Sequence, residues 1–108
     1  MQISIAITNA PDQFRGVAYS ALLFAEAALL KHHEISQIFF YRSGVLNATI
    51  HNELTQRWQR LNVPLKVCRT TAIEYNITEK LHEAFEYSTL TDYFHDVFKA
   101  HKNVVFAE

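Results

Sequence analysis

The residues with the widest chemical range in this chain are one cysteine and six histidines. Cys68 follows the short apolar run Pro64-Leu-Lys-Val67 and precedes Arg69 to Tyr75, a stretch that reads as the start of a helix. A cysteine at such a junction meets free backbone N–H groups and the positive end of a helix dipole. Both favour the thiolate, and Arg69 adds a positive charge beside it. A thiolate is a nucleophile and can carry sulfur. The bland alternative is an inert thiol packed as a small hydrophobe. A lone cysteine makes neither an internal disulfide nor, by itself, a cysteine-based structural zinc site.

Several thiol chemistries are testable against the surrounding residues. A redox C-x-x-C motif needs a second cysteine at position 71, which is Thr71. An anion-cradling C-x5-R loop needs arginine at position 74, which is Glu74 and has the wrong charge. A cysteine protease needs a histidine partner, and the sequence places none of His32, His33, His51, His82, His95 or His101 beside Cys68. The histidines form no H-E-x-x-H motif and no i,i+4 pair, so no metal site is implied. His82 and Glu86 could share a helix face; otherwise the set reads as solvated surface histidines. Gly16 and Gly44 stand alone, so glycine-loop nucleotide binding and nucleophile-elbow hydrolysis have no support. What remains for Cys68 is simple nucleophilic transfer without a preformed anion cradle.

The elements that would position this thiol alternate along the chain. Gln2 to Thr8 reads as a strand buried on both faces. Asn9 to Asp12 is a turn, with Asp12 a candidate helix cap. Phe14, Val17, Ala18, Ala21, Leu22, Ala25, Ala28 and Leu29 recur at helical spacing and predict a helix from Gln13 to about Lys31. Ser36 to Tyr41 predicts a second strand, Arg42-Ser-Gly44 a tight turn, and Val45 to Ala48 a short helical turn. Asn52 or Thr55 starts an amphipathic helix to about Leu61. Leu54, Trp58 and Leu61 lie on its core face, and Glu53 and Arg57 form a solvent-side pair. Pro64 to Val67 is a third strand. Ile77 to Tyr87 reads as a weaker, partly exposed segment. Thr89 caps a last helix carrying Leu90, Tyr93, Phe94, Val97 and Phe98. The aromatic run Tyr87 to Phe98 reads mostly as core, with a surplus that suits a subunit interface. Asn103 to Ala107 closes as a strand. The alternation predicts one three-layer α/β/α domain with a mostly parallel sheet of four to five strands. Catalytic groups collect at the carboxyl ends of such strands. Besides Thr8, Asn9 and Cys68, this directs attention to Arg69, Tyr41, Arg42 and Asn47 as candidate pocket neighbours. For the last three the competing role is turn chemistry around Gly44.

Composition bounds the partners. Ten Lys+Arg against eleven Asp+Glu give a formal charge of −1. That disfavours a dedicated nucleic-acid or anionic-membrane binder. With 108 residues, 49% of them apolar, the chain can bury a core. Val17 to Leu30 is the longest apolar stretch and falls short of the ~20 residues a membrane span needs. No basic-then-apolar leader opens the chain, and the expected location is the cytoplasm.

Three segments together carry a likeness: Ile38 to Ala48 (IFFYRSGVLNA), Trp58 to Asn62 (WQRLN), and Val67-Cys68 before a helix. With Ile3 to Thr8 and Val104 to Phe106 in addition, the chain resembles the DsrE/DsrF-like family over nearly its whole length. The resemblance implies a single DsrE-like domain over residues 1–108 and a persulfide on Cys68. It implies a sulfurtransferase that relays sulfur, toward 2-thiouridine at the tRNA wobble position or within sulfur oxidation. It also implies TusB- and TusC-like homologous subunits in a hetero-hexamer, a TusE/DsrC-like acceptor, and no cofactor. A DsrE-like subunit with a purely structural or ligand-binding role is the rival reading, because a fold does not by itself confer activity. Three departures stand out, the first being Thr91-Asp92-Tyr93 where the family often starts its last helix with a Gly-Leu-Gly-like run. Where the family often has glycine soon after the cysteine helix, this chain has Asn76. The stretch between Ala48 and Trp58 is also shorter than usual.

Overall fold

A computed structural model describes residues 1–50 and 52–108. The elements run β1 (Gln2–Ile7), α1 (Gly16–Leu30), β2 (Glu34–Phe40), a 3₁₀ helix (Arg42–Thr49), α2 (Glu53–Arg60), β3 (Leu65–Cys68), α3 (Arg69–Glu74), β4 (Glu86–Ser88), α4 (Leu90–Lys99) and β5 (Lys102–Phe106). The strands form one sheet in the order β4-β3-β2-β1-β5, and every neighbouring pair is parallel. The α/β fold with a parallel sheet is as expected.

Strand alternation divides the side chains between two unequal layers. Ile3, Ile5 and Ile7 of β1, Ile38 and Phe40 of β2, and Leu65 and Val67 of β3 face the larger layer. There they meet α1, the 3₁₀ helix, α2 and α3. Helix α1 presents Ala18, Ala21, Leu22, Ala25 and Ala28, and its small residues let the helix lie close to the sheet. Trp58 packs edge-on to Phe40 at 5.3 Å, in the core as its spacing predicts. Among the described residues, only α4 covers the other face of the sheet. Val105, Ala6, Phe39, Lys66 and Glu86 lie in one row across it. Tyr93 of α4 stacks on Phe39 with ring centres 4.7 Å apart. The fully buried Gln37 donates to Ser4 Oγ at 2.9 Å and to the Tyr93 carbonyl at 3.2 Å, tying α4 to the sheet.

Several local expectations need correction. The segment Ile77 to Tyr87 anchors through buried Ile77 and Phe85 and leads into β4. A strand of three residues, EYS, carries too few positions for alternation to show. His82 and Glu86 therefore share no helix. Helix α1 starts at Gly16, with Arg15 as its N-cap and no side-chain cap bond. Asp12 instead forms an ion pair with Arg15 at 3.3 Å. The tight turn at Gly44 belongs to the 3₁₀ helix, which runs on to Thr49. Arg57 does not pair with Glu53. It crosses to Glu26 of α1 and also reaches Tyr19 Oη at 3.3 Å. The Glu26 carboxylate raises the Arg57 pKa still further above its ordinary value. In the aromatic run, Tyr93 is buried but Phe94 is 51% and Phe98 86% exposed. Of the two starts open for α2, Asn52 is the one used: its Oδ1 accepts from the Leu54 N–H at 2.9 Å, while Thr89 caps α4 as predicted, its Oγ1 accepting from the Asp92 N–H at 3.1 Å.

Candidate functional site

Cys68 is the last residue of β3 and the N-cap of α3. Its position two residues beyond Lys66 turns its side chain to the α4 face of the sheet, away from Val67. There it joins Ala6, Phe39 and Tyr93, with Tyr41 and Val97 packed against the group. The thiol is 2% exposed. It makes no side-chain cap bond to α3, which is six residues long, so first-turn amides rather than a long helix dipole are the backbone groups at hand.

Register sets Ser88 of β4 beside Cys68. Next to it lies a small cavity of about 150 Å³ lined by Arg69, Tyr87, Ser88, Thr89 and Asp92. Arg69 itself is exposed. On the other side, the Tyr41 ring stacks with Phe39 at 6.2 Å, and the Arg42 guanidinium lies 5.7 Å from the Tyr41 ring centre. Arg42 takes a left-handed φ of 53°, which turns the chain sharply after β2.

Asn47 has a different task. It is buried, and its Nδ2 donates to the Asn9 carbonyl at 3.0 Å and the Gly44 carbonyl at 2.8 Å. It thus clasps the 3₁₀ helix to the loop after β1. Gly44 is confined in the same place, where a Cβ would overlap the Ile7 carbonyl oxygen. Asn76 ends α3 with φ 55°, and the Asn76 and Ile77 N–H groups return to the carbonyls of Ile73 and Ala72. Asparagine tolerates this left-handed position, so the turn after the cysteine helix forms without glycine.

The structure therefore brings Cys68, Tyr41 and Arg42 to one end of the sheet, with Arg69 on the cavity rim. Two side chains against the thiol, Phe39 and Tyr93, escape the sequence reading as site residues. For Phe39 a signal existed: it alternates with Ile38 and Phe40, which mark the opposite face. Tyr93 could not be placed without knowing that α4 alone covers that face. The histidines are not all idle. His101 Nδ1 accepts the Gln2 N–H at 3.0 Å, and His82 Nδ1 accepts the Ala84 N–H at 3.0 Å. His51 lies outside the described residues. Among the described residues no group of three or more His, Cys, Asp or Glu comes together to hold a metal.

The model of the DsrE/DsrF-like family matches residues 1–106. The chain belongs to that family. Sulfurtransferase TusD of Salmonella paratyphi B is 35% identical over 91 residues, which cover 74% of this chain and 70% of that relative. The TusD of Salmonella heidelberg matches with the same identity and coverage. In structure, the chain is similar to the ychN protein of E. coli, with a TM-score of 0.81 at 20% identity over 97% of this chain and 98% of that one. That likeness concerns the fold. No helix among the described residues is long and apolar enough to cross a membrane.

Proposed function

We propose that this DsrE/DsrF-like protein is a sulfurtransferase of TusD type, a sulfur-relay subunit that carries sulfur as a persulfide on Cys68. The observation that carries the reading is the place of the single cysteine, at the carboxyl end of β3 and the first turn of α3. In this mechanism the Cys68 thiolate attacks the outer sulfur of a donor persulfide. A new S–S bond forms on Cys68, the donor S–S bond breaks, and the donor leaves as a thiolate. An acceptor thiolate then attacks the outer sulfur of Cys68-S-SH and regenerates the cysteine thiolate, with no net oxidation. Burial against Phe39, Tyr41 and Tyr93 shields the persulfide from stray thiols between the two steps. Arg69 and Arg42 supply positive charge near the mouth. No organic cofactor or metal takes part in this exchange.

A lone carrier thiol must meet its donor and acceptor by docking. The partners in this reading are TusB- and TusC-like homologous subunits in a hetero-hexamer and a TusE/DsrC-like acceptor. The compartment is the cytoplasm, and the destination of the sulfur is the tRNA wobble uridine. A structural role for the chain is favoured by one observation, the 2% exposure of Cys68. The two readings separate in a strain lacking this protein, complemented with wild type or Cys68→Ser. The relay predicts that wild type restores 2-thiouridine in tRNA and Cys68→Ser does not. Equal restoration by both sinks the carrier role and leaves the structural one.

A further inference from the structure

We propose that the cavity between the C-terminal end of α1 and the first residues of β1 and β5 binds a small amphipathic carboxylate. Its hydrocarbon part lies on an apolar floor and its head among Lys31, His33 and Lys102. The site is at the opposite end of the parallel strands from Cys68 and does not depend on sulfur transfer.

The cavity follows from the residues around it. Ile3 opens the buried row of β1 that faces α1. Register sets Lys102, Val104 and Phe106 of β5 beside Ile3, Ile5 and Ile7, so Lys102 stands on the same face as α1. Phe24 of α1 packs on Phe106 with ring centres 5.5 Å apart and walls the space on one side. One turn further on, α1 offers only Ala27 and Ala28. Their methyl groups do not fill the space over Ile3, and a cavity of about 330 Å³ remains. Small-molecule sites have this order of volume and this kind of lining, a mainly apolar surface with a few polar groups that fix orientation.

The polar groups at this cavity favour one sign of charge. Lys31, His33 and Lys102 line it, and among the described residues no acidic side chain does. Neither lysine has an ion pair among the described residues. The neighbouring Glu34 pairs in register with Gln2 rather than Ile3, so alternation sends it to the α4 face. Nor are these side chains needed to close α1. The carbonyls of Ala27, Ala28 and Leu29 already accept from the Lys31, His32 and His33 N–H groups. His32 takes a left-handed φ of 65°, and the turn returns His33 to the cavity wall. The His33 Nδ1 is buried with no hydrogen-bond partner among the described residues, a state that calls for an explanation. In the tautomer with its proton on Nδ1, a carboxylate oxygen is a suitable acceptor. Two ammonium groups and an imidazole select an anion, and the apolar floor selects a hydrocarbon body. A carboxylate on a short chain has both.

The test uses the full chain and three probes of equal length: octanoate, 1-octanol and octylammonium. In a calorimetric titration octanoate is expected to saturate with a dissociation constant of about 1 mM or below. The neutral and cationic probes are expected to bind at least about tenfold more weakly. Backbone amide NMR is expected to place the largest octanoate shifts at Ile3, Ala28, Lys31 and Lys102. Two variants probe the two halves of the site, both at exposed positions outside the core. Ala27→Phe fills the cavity, and Lys102→Glu reverses one of its charges. Each is expected to weaken octanoate binding at least about fivefold with an unchanged circular dichroism spectrum. Three results would each overturn the proposal: no saturable binding by about 10 mM octanoate, equal binding of 1-octanol, or octanoate binding that neither variant weakens.

Discussion

Cys68 shows how much function a residue's neighbours decide. Its place between strand and helix is readable from Val67, Cys68 and the residues after it, but its burial is not. The thiol turns under Tyr41 and Tyr93 because β3 pairs in a register that sends Val67 to one layer and Cys68 to the other. A carrier thiol in such a place is reached only when a covering side chain moves. Tyr41 is the candidate, being partly exposed at the end of β2 with Arg42 over its ring. Tyr41→Ala is therefore expected to speed alkylation of Cys68 by iodoacetamide several-fold, with little change in folding. An unchanged labelling rate would mean that access runs through the Arg69–Ser88 cavity instead. Asn47 illustrates the opposite outcome. It reads as a pocket neighbour in sequence, yet its amide is spent on two backbone carbonyls. One sequence cannot distinguish an asparagine that binds a ligand from one that secures a turn.

At the scale of elements, the long and strongly patterned pieces were legible. The strands β1 and β2, the helices α1, α2 and α4, and the cap at Thr89 follow from alternation, helical spacing and capping chemistry. Strand β4 was not legible, because three residues show no period and because its pairing to β3 is a tertiary event. Missing β4 also hid the cavity formed by Ser88, Thr89 and Asp92 beside the cysteine. The Arg57–Glu26 pair was missed for a similar reason, since a local i,i+4 partner is visible in sequence and a partner on another helix is not. The 3₁₀ helix carries the sharpest steric constraint. Gly44 lies against the β1 backbone at Ile7, and an added methyl group cannot rotate away. Gly44→Ala is expected to destabilise the protein by more than about 2 kcal/mol, measured by urea unfolding. A loss well below that would mean that the loop shifts freely to admit a side chain.

Over the whole molecule, the asymmetry of the two layers links fold to function. Among the described residues, one face of the sheet carries three helices and a 3₁₀ helix, and the other carries α4 alone and the cysteine. That thinner face leaves aromatic side chains exposed, which the residue pattern alone counts as core because helical spacing does not say how wide the receiving surface is. The fold class and the family followed from the sequence, and the family match over residues 1–106 agrees with both. The central claim remains that Cys68 holds sulfur in transit. Its most direct test is intact-mass spectrometry of the protein after incubation with a cysteine desulfurase, pyridoxal phosphate and free cysteine. The proposed partner subunits are co-expressed so that docking is available. The account predicts a gain of one sulfur atom on wild type, removed by a reducing thiol and absent from Cys68→Ser. No gain on wild type in that complex, or the same gain on Cys68→Ser, would contradict it.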